Sequence, residues 1–495
     1  MLTSTNSNNS EENKFFPSFL ALKSTVHFYS MNSIIKNSKQ PIVEFFYDLQ
    51  CPWAYIASKR IEQITKRTNA KVIWTPVLLG EIYKAIKAPQ GKADVMPLPK
   101  RQYITKDLLR TVQRYNIELN FHPRHPIQTI YALRLLHATP QSYRAALTRA
   151  FYRLYWVDNA DISDLSLLLN TAQSLKIPYD EPLDSSIFSN KKYQNSLSSS
   201  TARAVEYGSP GVPSFWLEQY PGGGRLYWGQ DRLHFVEAAL TSISTGVSIE
   251  QMDLLKFYPR CSVEKKFNGN NKKVKTLKFW FDFSSQYSYI AYTQLSWIKK
   301  QAKCEVNIEY MPFLLGFVFD RIGTPQTPLL KLNETRKAYD IRDMYEWVQF
   351  WNQVGDKFKF YYPDVFPIRS VNISRIFLLE PKTLECIFKA CWVDNIPIGT
   401  SNDLLIETLN KSGFDGNALF QATQQNVNNV KDKLRENTDR AIKLGMFGAP
   451  VFQVDDGELV WGQDRINVVL DLLDGWTWQS KDIETMKKDD EKAKL

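Results

Sequence analysis

Two stretches, IVEFFYDL (42–49) and LKFWFDF (277–283), are short and almost continuously apolar, the pattern of a strand covered on both faces. After each, apolar positions recur at helical spacing: Ala54, Ala57, Ile61 and Ile64 behind the first, Ser288, Ala291, Leu295 and Ile298 behind the second. Each strand is therefore expected to turn directly into a helix. The stretches at about 95–200 and 330–440 read as helical, with few strand signals. Each is followed by an extended segment (SFWLEQY at 214–220, VFQVDDG at 451–457), a turn, a second short strand (RLYWG at 225–229, ELVWG at 458–462) and a helix beginning at Gln-Asp-Arg. A β-α start, a helical insertion and a β-β-α finish predict an α/β sheet domain interrupted by a helical domain.

The pattern is written twice. WVDN stands at 156–159 and 392–395, WGQDR at 228–232 and 461–465, GVP at 211–213 is answered by GAP at 448–450, and Asp48 by Asp282, all at offsets of 233–237 residues. Anchors in the same order at a nearly constant offset imply tandem duplication of a unit of roughly 200 residues. The expected division is a disordered Asn- and Ser-rich extension at 1–40, a first domain at 41–245, a linker at 246–275 that includes the polar NGNNKKVK (268–275), a second domain at 276–475 and a polar tail at 476–495.

Composition narrows the function classes. The net charge of +10 is spread over the chain, with no basic stripe interleaved with aromatics, so no nucleic-acid partner is expected. Five cysteines without a C-x-x-C argue against a disulfide framework or a structural zinc and for a reducing compartment. No apolar run approaches the ~18 residues of a membrane span, and FFPSFLAL, interrupted by Pro17, is too short for a signal peptide. The chain ends in Ala-Lys-Leu, a conservative variant of the Ser-Lys-Leu address, so a peroxisomal location is expected, with cytoplasm or mitochondrion as alternatives; the first 40 residues hold no Arg, which weakens a mitochondrial transit peptide.

The chemistry concentrates where strand becomes helix: DLQCPWAYIA (48–57) carries Cys51, and DFSSQYSYIA (282–291) carries Ser285. A helix N-terminus stabilises an anion, so it would lower the pKa of the Cys51 thiol, whereas the Ser285 hydroxyl suits donation of a hydrogen bond to another molecule's thiolate. A serine N-cap, a buried cysteine and Pro52 in a first helical turn would produce the same letters without function. Recurrence of the corner with Gly-x-Pro and WGQDR downstream favours a site. Gly-x-Pro reads as a rigid turn or as a cis X-Pro bond that exposes the Val212 or Ala449 backbone to a peptide-like ligand. WGQDR reads as a turn with an Asp231 or Asp464 N-cap, as recognition of an amino acid's charged groups, or both. All five histidines (27, 122, 125, 137, 234) lie in the first half, which excludes a Ser-His triad within the second unit. HPRH (122–125) reads as a surface loop with no metal implied, and Cys386 and Cys391 as core positions of a buried helix.

FFYDLQCPWAYIA and FWFDFSSQYSYIA, each followed by LLG, by KRQYITKDL or RKAYDIRDM, by YWVDN or CWVDN, and by Gly-x-Pro and WGQDR, resemble the 2-hydroxychromene-2-carboxylate isomerase and kappa-class glutathione transferase group. That group belongs to the DsbA-like branch of the thioredoxin-fold proteins, and the resemblance covers roughly 400 of 495 residues. It implies two tandem thioredoxin-fold domains, each with an inserted helical domain, and glutathione as co-substrate. It implies that the corner residue, Ser285 or Cys51, handles the glutathione thiol. Val212 and Ala449, ahead of cis-Pro213 and cis-Pro450, would pair with the glutathione backbone. Gln230 with Asp231, and Gln463 with Asp464, would hold the γ-glutamyl group. The aromatic-rich helical domain would take an apolar or electrophilic partner. The family's Ser-Pro is split here into Cys51-Pro52 and Ser285-Gln286, and Arg369 replaces an Asn usual in the isomerases. Ala54 occupies the place of a resolving thiol, so disulfide exchange at Cys51 would pass through a mixed disulfide with glutathione. The resemblance thus implies a glutathione transferase or isomerase-like enzyme acting as a monomeric pseudo-dimer. A monothiol oxidoreductase working through Cys51 and a non-catalytic binding protein are the alternatives.

Overall fold

The computed structural model describes residues 40–89, 95–261 and 274–478; the N-terminal extension up to residue 39, most of NGNNKKVK and the C-terminal Ala-Lys-Leu lie outside them. In the first unit β1 (Ile42–Tyr47) runs into α1 (Pro52–Thr68), then β2 (Lys71–Pro76) and α2 (Leu79–Ala85). The helical insertion follows, from α3 (Leu98–Arg114) through α4 (Ile130–Ala138), α5 (Gln141–Trp156) and α6 (Leu165–Ser174) to α7 (Lys191–Glu206). The chain returns through β3 (Ser214–Leu217), β4 (Arg225–Trp228) and α8 (Leu233–Thr245). The sheet order is β2-β1-β3-β4, with β1 and β2 parallel and the other pairs antiparallel.

The second unit repeats this plan. It comprises β5 (Val274–Phe281), α9 (Gln286–Thr293), α10 (Leu295–Gln301), β6 (Glu305–Pro312), α11 (Leu315–Arg321), an insertion from α12 (Glu334–Val354) through α13 (Val371–Leu379), α14 (Leu384–Trp392), α15 (Asn402–Lys411) and α16 (Gly416–Gln424) to α17 (Val430–Lys443), then β7 (Val451–Val454), β8 (Leu459–Trp461) and α18 (Ile466–Leu473). Its sheet order is β6-β5-β7-β8. The α/β architecture expected from the apolar pattern is the one observed, twice. Ala54, Ala57, Ile61 and Ile64 form the buried stripe of α1, and Ser288, Ala291, Leu295 and Ile298 are buried at the equivalent places. The single second helix expected there is two, because Gln294 interrupts it to exchange hydrogen bonds with the Asp356 backbone (3.1 and 3.1 Å). β2 and β6 were not read from the sequence. They follow their helices after two or three residues, too soon for a separate periodicity to register.

The units pack reciprocally, the long helix of each covering the edge strand of the other, which removes an unpaired edge. The Trp461 N–H donates to the Tyr103 hydroxyl of α3 (2.8 Å), and the Trp228 N–H to the Tyr339 hydroxyl of α12 (2.9 Å). Arg110 donates to the Leu459 carbonyl (3.1 Å) and Arg342 to that of Leu226 (3.0 Å). Around these contacts the charges are exchanged between equivalent positions: Arg110 answers to Glu346 on the helices, and Arg225 to Glu458 on the strands. Arg225 pairs with Glu346, and Lys106 with Glu458 at 3.2 Å. Two first units together would set Arg110 and Lys106 against Arg225, and two second units would bring Glu346 up to Glu458 with Arg342 as the cation there, so the pairing favours one of each.

The segment at 246–261 is not a loose linker. Leu254 and Tyr258 are buried, Tyr258 accepts from the Asn467 N–H (2.8 Å), and Arg260 pairs with Asp471 and Asp474 (2.7 Å each). Gln353 donates to the carbonyls of Ile249 and Met252 (2.7 and 2.6 Å). It forms a strap joining the units on one side.

Arg225→Glu places two carboxylates in one largely buried site. It is expected to lower the unfolding free energy by about 3–5 kcal/mol, and Arg225→Glu with Glu346→Arg to recover most of that, as read by denaturant unfolding of the two variants.

Candidate functional site

Behind each corner sits a buried carboxylate that positions it. Asp48, at the end of β1, accepts from the Gln50 N–H (3.2 Å) and side-chain amide (3.1 Å), from the Leu79 N–H at the start of α2 (2.9 Å) and from the Thr129 hydroxyl ahead of α4 (2.8 Å). Asp282 accepts from the N–H groups of Ser284 (2.9 Å) and Leu315 (2.7 Å) and from the Ser370 hydroxyl. Burial pushes both carboxyls up, and the hydrogen bonds act against it. Each aspartate thus ties strand, corner, following helix and helical insertion together. The sequence marked both as repeat anchors but gave them no role.

At the corner, Cys51 is the N-cap residue of α1 and makes no side-chain capping bond; its thiol donates to the Val212 carbonyl (3.4 Å). Ser285 is the N-cap of α9; its oxygen accepts from the Ser288 N–H (3.1 Å), and its hydroxyl donates to the Ala449 carbonyl (3.1 Å). The residues are 7% and 4% exposed. Val212-Pro213 and Ala449-Pro450 are both cis, so each corner side chain faces the carbonyl just ahead of a cis-proline. The corners differ in what they offer an anion. The Gln286 and Tyr287 N–H groups have no partner among the described residues, whereas Pro52 has no N–H and the first corner offers only that of Trp53. Near Cys51 stands Tyr83, where the second unit has Phe319; burial and the neighbouring sulfur push its phenol up.

The Gln-Asp-Arg turns lie elsewhere than the sequence suggested. Each forms a single 3₁₀ turn, and the α-helix proper begins only at Leu233 or Ile466. The Gln230 side chain and carbonyl both accept from Arg60 of α1 (2.6 and 2.8 Å), and the Gln463 side chain accepts from the Trp351 indole (2.6 Å). Both glutamines are buried and turned towards a helix of their own unit. Neither aspartate caps a helix. Instead Asp231 and Asp464 meet across the interface: Arg232 contacts Asp231 (3.0 Å), Asp464 (3.1 Å) and Asp343 (2.7 Å), and Arg465 contacts Asp231 (2.8 Å), Asp464 (3.1 Å) and Asp107 (3.3 Å). Burial alone would raise the Asp231 carboxyl; Arg232 and Arg465 outweigh it and hold the carboxyl well below the usual range. Gly229 (φ +106°) and Gly462 (φ +101°) permit this turn, since a Cβ at either would lie 2.4 Å from the aspartate oxygen.

The structure therefore brings Cys51 to Val212 and Pro213, Ser285 to Ala449 and Pro450, and Asp231 to Asp464. It also adds residues from the opposite unit. Tyr103 packs on Phe447 and Trp461 (centroids 5.3 and 6.1 Å) beside the Gly-Ala-Pro turn, and Arg336 lies 4.3 Å from the Trp228 ring. The KRQYITKDL and RKAYDIRDM stretches were the signal for this, but only the fold reveals that each reaches into the other unit. His122 is buried, its Nδ1 accepting from the Arg124 N–H (3.0 Å), so HPRH is not wholly a surface loop. Cys391 is buried and Cys386 partly exposed. Among the described residues no cluster of three His, Cys, Asp or Glu could hold a metal ion.

A family model described as a DSBA-like thioredoxin domain matches residues 42–241 and again 276–474. Similar curated proteins include the 2-hydroxychromene-2-carboxylate isomerase of Sphingobium xenophagum, 23% identical over 198 residues (40% of this chain, 97% of the relative). Glutathione S-transferase kappa 2 of Caenorhabditis elegans is 27% identical over 218 residues (41% and 92%). Among solved structures, a 2-hydroxychromene-2-carboxylate isomerase aligns at 22% identity with a TM-score of 0.34, covering 40% of this chain and 94% of its own.

Asp231→Asn is expected to lower stability by about 2–4 kcal/mol, because it removes a carboxylate shared by two guanidiniums. The folded Asp231 holds its proton less tightly than the unfolded one, so its contribution is complete above about pH 4 and fades as the pH falls below that. The stability gap between wild type and Asp231→Asn, measured by denaturant unfolding across an acid series, should narrow accordingly.

Proposed function

Because the chain belongs to the DSBA-like thioredoxin domain family, with that domain present twice, we propose that it is a glutathione-dependent enzyme whose working corner is the second one. There Ser285 stabilises the thiolate of bound glutathione for attack on an electrophilic small molecule. The observation that carries this reading is the donor set at the start of α9: the Ser285 hydroxyl and the unpartnered N–H groups of Gln286 and Tyr287, opposite the carbonyl that precedes cis-Pro450. A relative named for glutathione transfer supports the choice of thiol.

In this reading the tripeptide lies along Gly448–Pro450. The Ser285 hydroxyl turns from the Ala449 carbonyl to the sulfur, and the helix N–H groups add to the stabilisation of negative charge. Lowering the thiol pKa raises the thiolate fraction at neutral pH, and the thiolate is the nucleophile. The sulfur forms a bond to the electrophilic carbon while that carbon's leaving group departs with its bonding pair, chloride in the case of chlorodinitrobenzene, the thiol proton having left to solvent. The zwitterionic end of the γ-glutamyl group is served by the interface cluster, where Asp464 and Arg232 come from different units. The Gln463 amide oxygen is held by the Trp351 indole, which fixes the side chain at the edge of this cluster.

A second reading is thiol exchange at Cys51, favoured by one feature of the first corner: a thiol stands at the N-cap of α1, facing the carbonyl that precedes cis-Pro213. With Ala54 in the place of a resolving thiol, the Cys51 thiolate would attack a glutathione disulfide, giving a protein–glutathione mixed disulfide and one released glutathione thiolate.

The two readings separate on single variants. Wild type should bind reduced glutathione saturably in calorimetry, and Ser285→Ala should lower the rate of glutathione conjugation to chlorodinitrobenzene at neutral pH by about 10²-fold, while Cys51→Ala leaves it unchanged. Loss of thiol exchange in Cys51→Ala, with conjugation absent from wild type, would transfer the function to the first corner. No binding at millimolar glutathione would reject both.

A further inference from the structure

Away from both corners, a groove of about 640 Å³ runs along the outer face of α1 in the first unit. It is walled by the C-terminal end of α3, by α8 and by the strap, and its size is that of a small-molecule site. Six cationic side chains line it, Lys59, Arg60, Arg67, Arg153, Lys256 and Arg260, against Glu118 and Glu237.

Four of these cations are committed: Arg67 to Glu237 (2.6 Å), Arg153 to Asp158 (3.3 Å), Lys256 to Asp253 (4.0 Å) and Arg260 to Asp471 and Asp474. The other two are not. Lys59 has no ion-pair partner among the described residues. Arg60 donates only to the neutral Gln230 and lies over the Tyr115 ring at 4.0 Å. Burial, with Arg153 and Arg149 nearby, pushes the Lys59 ammonium down, and burial does the same to the Arg60 guanidinium. Positive charge thus exceeds negative charge in this groove, six cationic side chains lining it against two carboxylates. In the groove lining, His234 Nε2 is buried with no hydrogen-bond partner among the described residues.

The second unit shows that the fold does not require this. At the positions of Lys59, Arg60, Gln63 and Tyr115 it has Thr293, Gln294, Trp297 and Trp351. Trp297 and Trp351 are buried with centroids 5.3 Å apart, and they occupy the space. The first unit instead has an open groove, with Gln63 and Tyr115 in place of the two tryptophans and the cations Lys59 and Arg60 in place of Thr293 and Gln294, walled by Phe257 and Pro259 of the strap.

We propose that this groove binds a phosphorylated small molecule bearing an aromatic ring, a mononucleotide in its chemistry. The phosphate lies between Lys59 and Arg60, with Arg153 at the rim, where its exposed ion pair with Asp158 can be exchanged for the anion, so that several donors reach one doubly charged group. The ring lies against Phe257 and Pro259. Because the strap joins the two units, occupancy would couple to their packing. The site is separate from the Ser285 corner and does not rest on the glutathione reading.

The test is calorimetric titration of the full chain with ADP, adenosine, inorganic phosphate and glutathione. ADP is expected to bind saturably, adenosine and phosphate each at least about tenfold more weakly, and Lys59→Glu and Arg153→Glu each to weaken ADP at least about tenfold. Raised salt should weaken ADP as well. Conjugation activity and glutathione binding should be unchanged in Lys59→Glu, an exposed position on α1. Absence of ADP binding at millimolar concentration, or equal binding by both charge-reversed variants, would overturn the proposal. Phosphate binding as tightly as ADP would overturn its aromatic half by making the groove a site for a bare anion. Displacement of ADP by glutathione would assign the groove to glutathione instead.

Discussion

Two guanidiniums, Arg232 and Arg465, set among four carboxylates from both units, are the constraint on which the arrangement turns. A charge taken from water must find its counter-charge or the burial is strongly unfavourable. Neither unit satisfies its own arginine: Arg232 needs Asp343 and Asp464 from the second unit, and Arg465 needs Asp107 and Asp231 from the first. The Gln-Asp-Arg turn is shaped to meet that demand. It needs a glycine at 229 and 462 so that the aspartate can fold back, and it delays the start of the final helix by one 3₁₀ turn. The same demand brings α3 and α12 onto the opposite edge strands, which is how Tyr103 and Arg336 come to stand beside the Gly-x-Pro turn of the other unit. Joining the units covalently, with the strap packed rather than free, makes the second half of each cluster available at high effective concentration.

The two corners share one geometry and differ in hydrogen-bond capacity. A serine oxygen is a good acceptor and a good donor, so Ser285 can cap α9 through Ser288 while its proton faces the Ala449 carbonyl. A thiol is poor at both, and Cys51 leaves α1 uncapped. Pro52 suits that corner because it has no N–H to leave unpaired, whereas Gln286 adds a free donor beside the serine. The split of Ser-Pro into Cys-Pro and Ser-Gln therefore sorts the corners into one with a reactive atom and few donors, and one with donors and no thiol of its own. The second is suited to receiving a thiol from another molecule.

What could be read from the chain was what is local. The strand-to-helix corners, the duplicated order of elements and the Gly-x-Pro turns depend on neighbours within about ten positions, and periodicity reports those neighbours. The interface did not show because its partners are more than a hundred residues apart; Arg232 and Asp343, or Tyr103 and Trp461, have no local signature. The N-cap alternative for Asp231 and Asp464 is not the one adopted, for the same reason, since an aspartate at a helix start is the usual cap and only the arginine of the other unit diverts it. The contacts of the Gln230 and Gln463 amide oxygens with Arg60 and Trp351 have no local signature either. The strap at 246–261 has a linker's polarity in part, yet Leu254, Tyr258 and Arg260 fix it, each through contacts that sequence spacing cannot encode.

Covalent duplication also explains why the halves could diverge so far. In a symmetric dimer every contact occurs twice, so a change at one position appears on both sides of the axis and must be compatible with itself. In a tandem chain each position is written separately. That freedom permits Glu346 opposite Arg225 where the other side has Arg110 against the Leu459 carbonyl, an exchange that a self-complementary interface could not adopt one residue at a time. It also permits one copy to fill the space behind its first helix with Trp297 and Trp351 while the other opens it as a cationic groove. The pseudo-symmetric core holds the frame constant, and the differences between the copies, Cys51 against Ser285, Pro52 against Gln286, Arg60 against Gln294, mark the places where the chemistry of the two units differs.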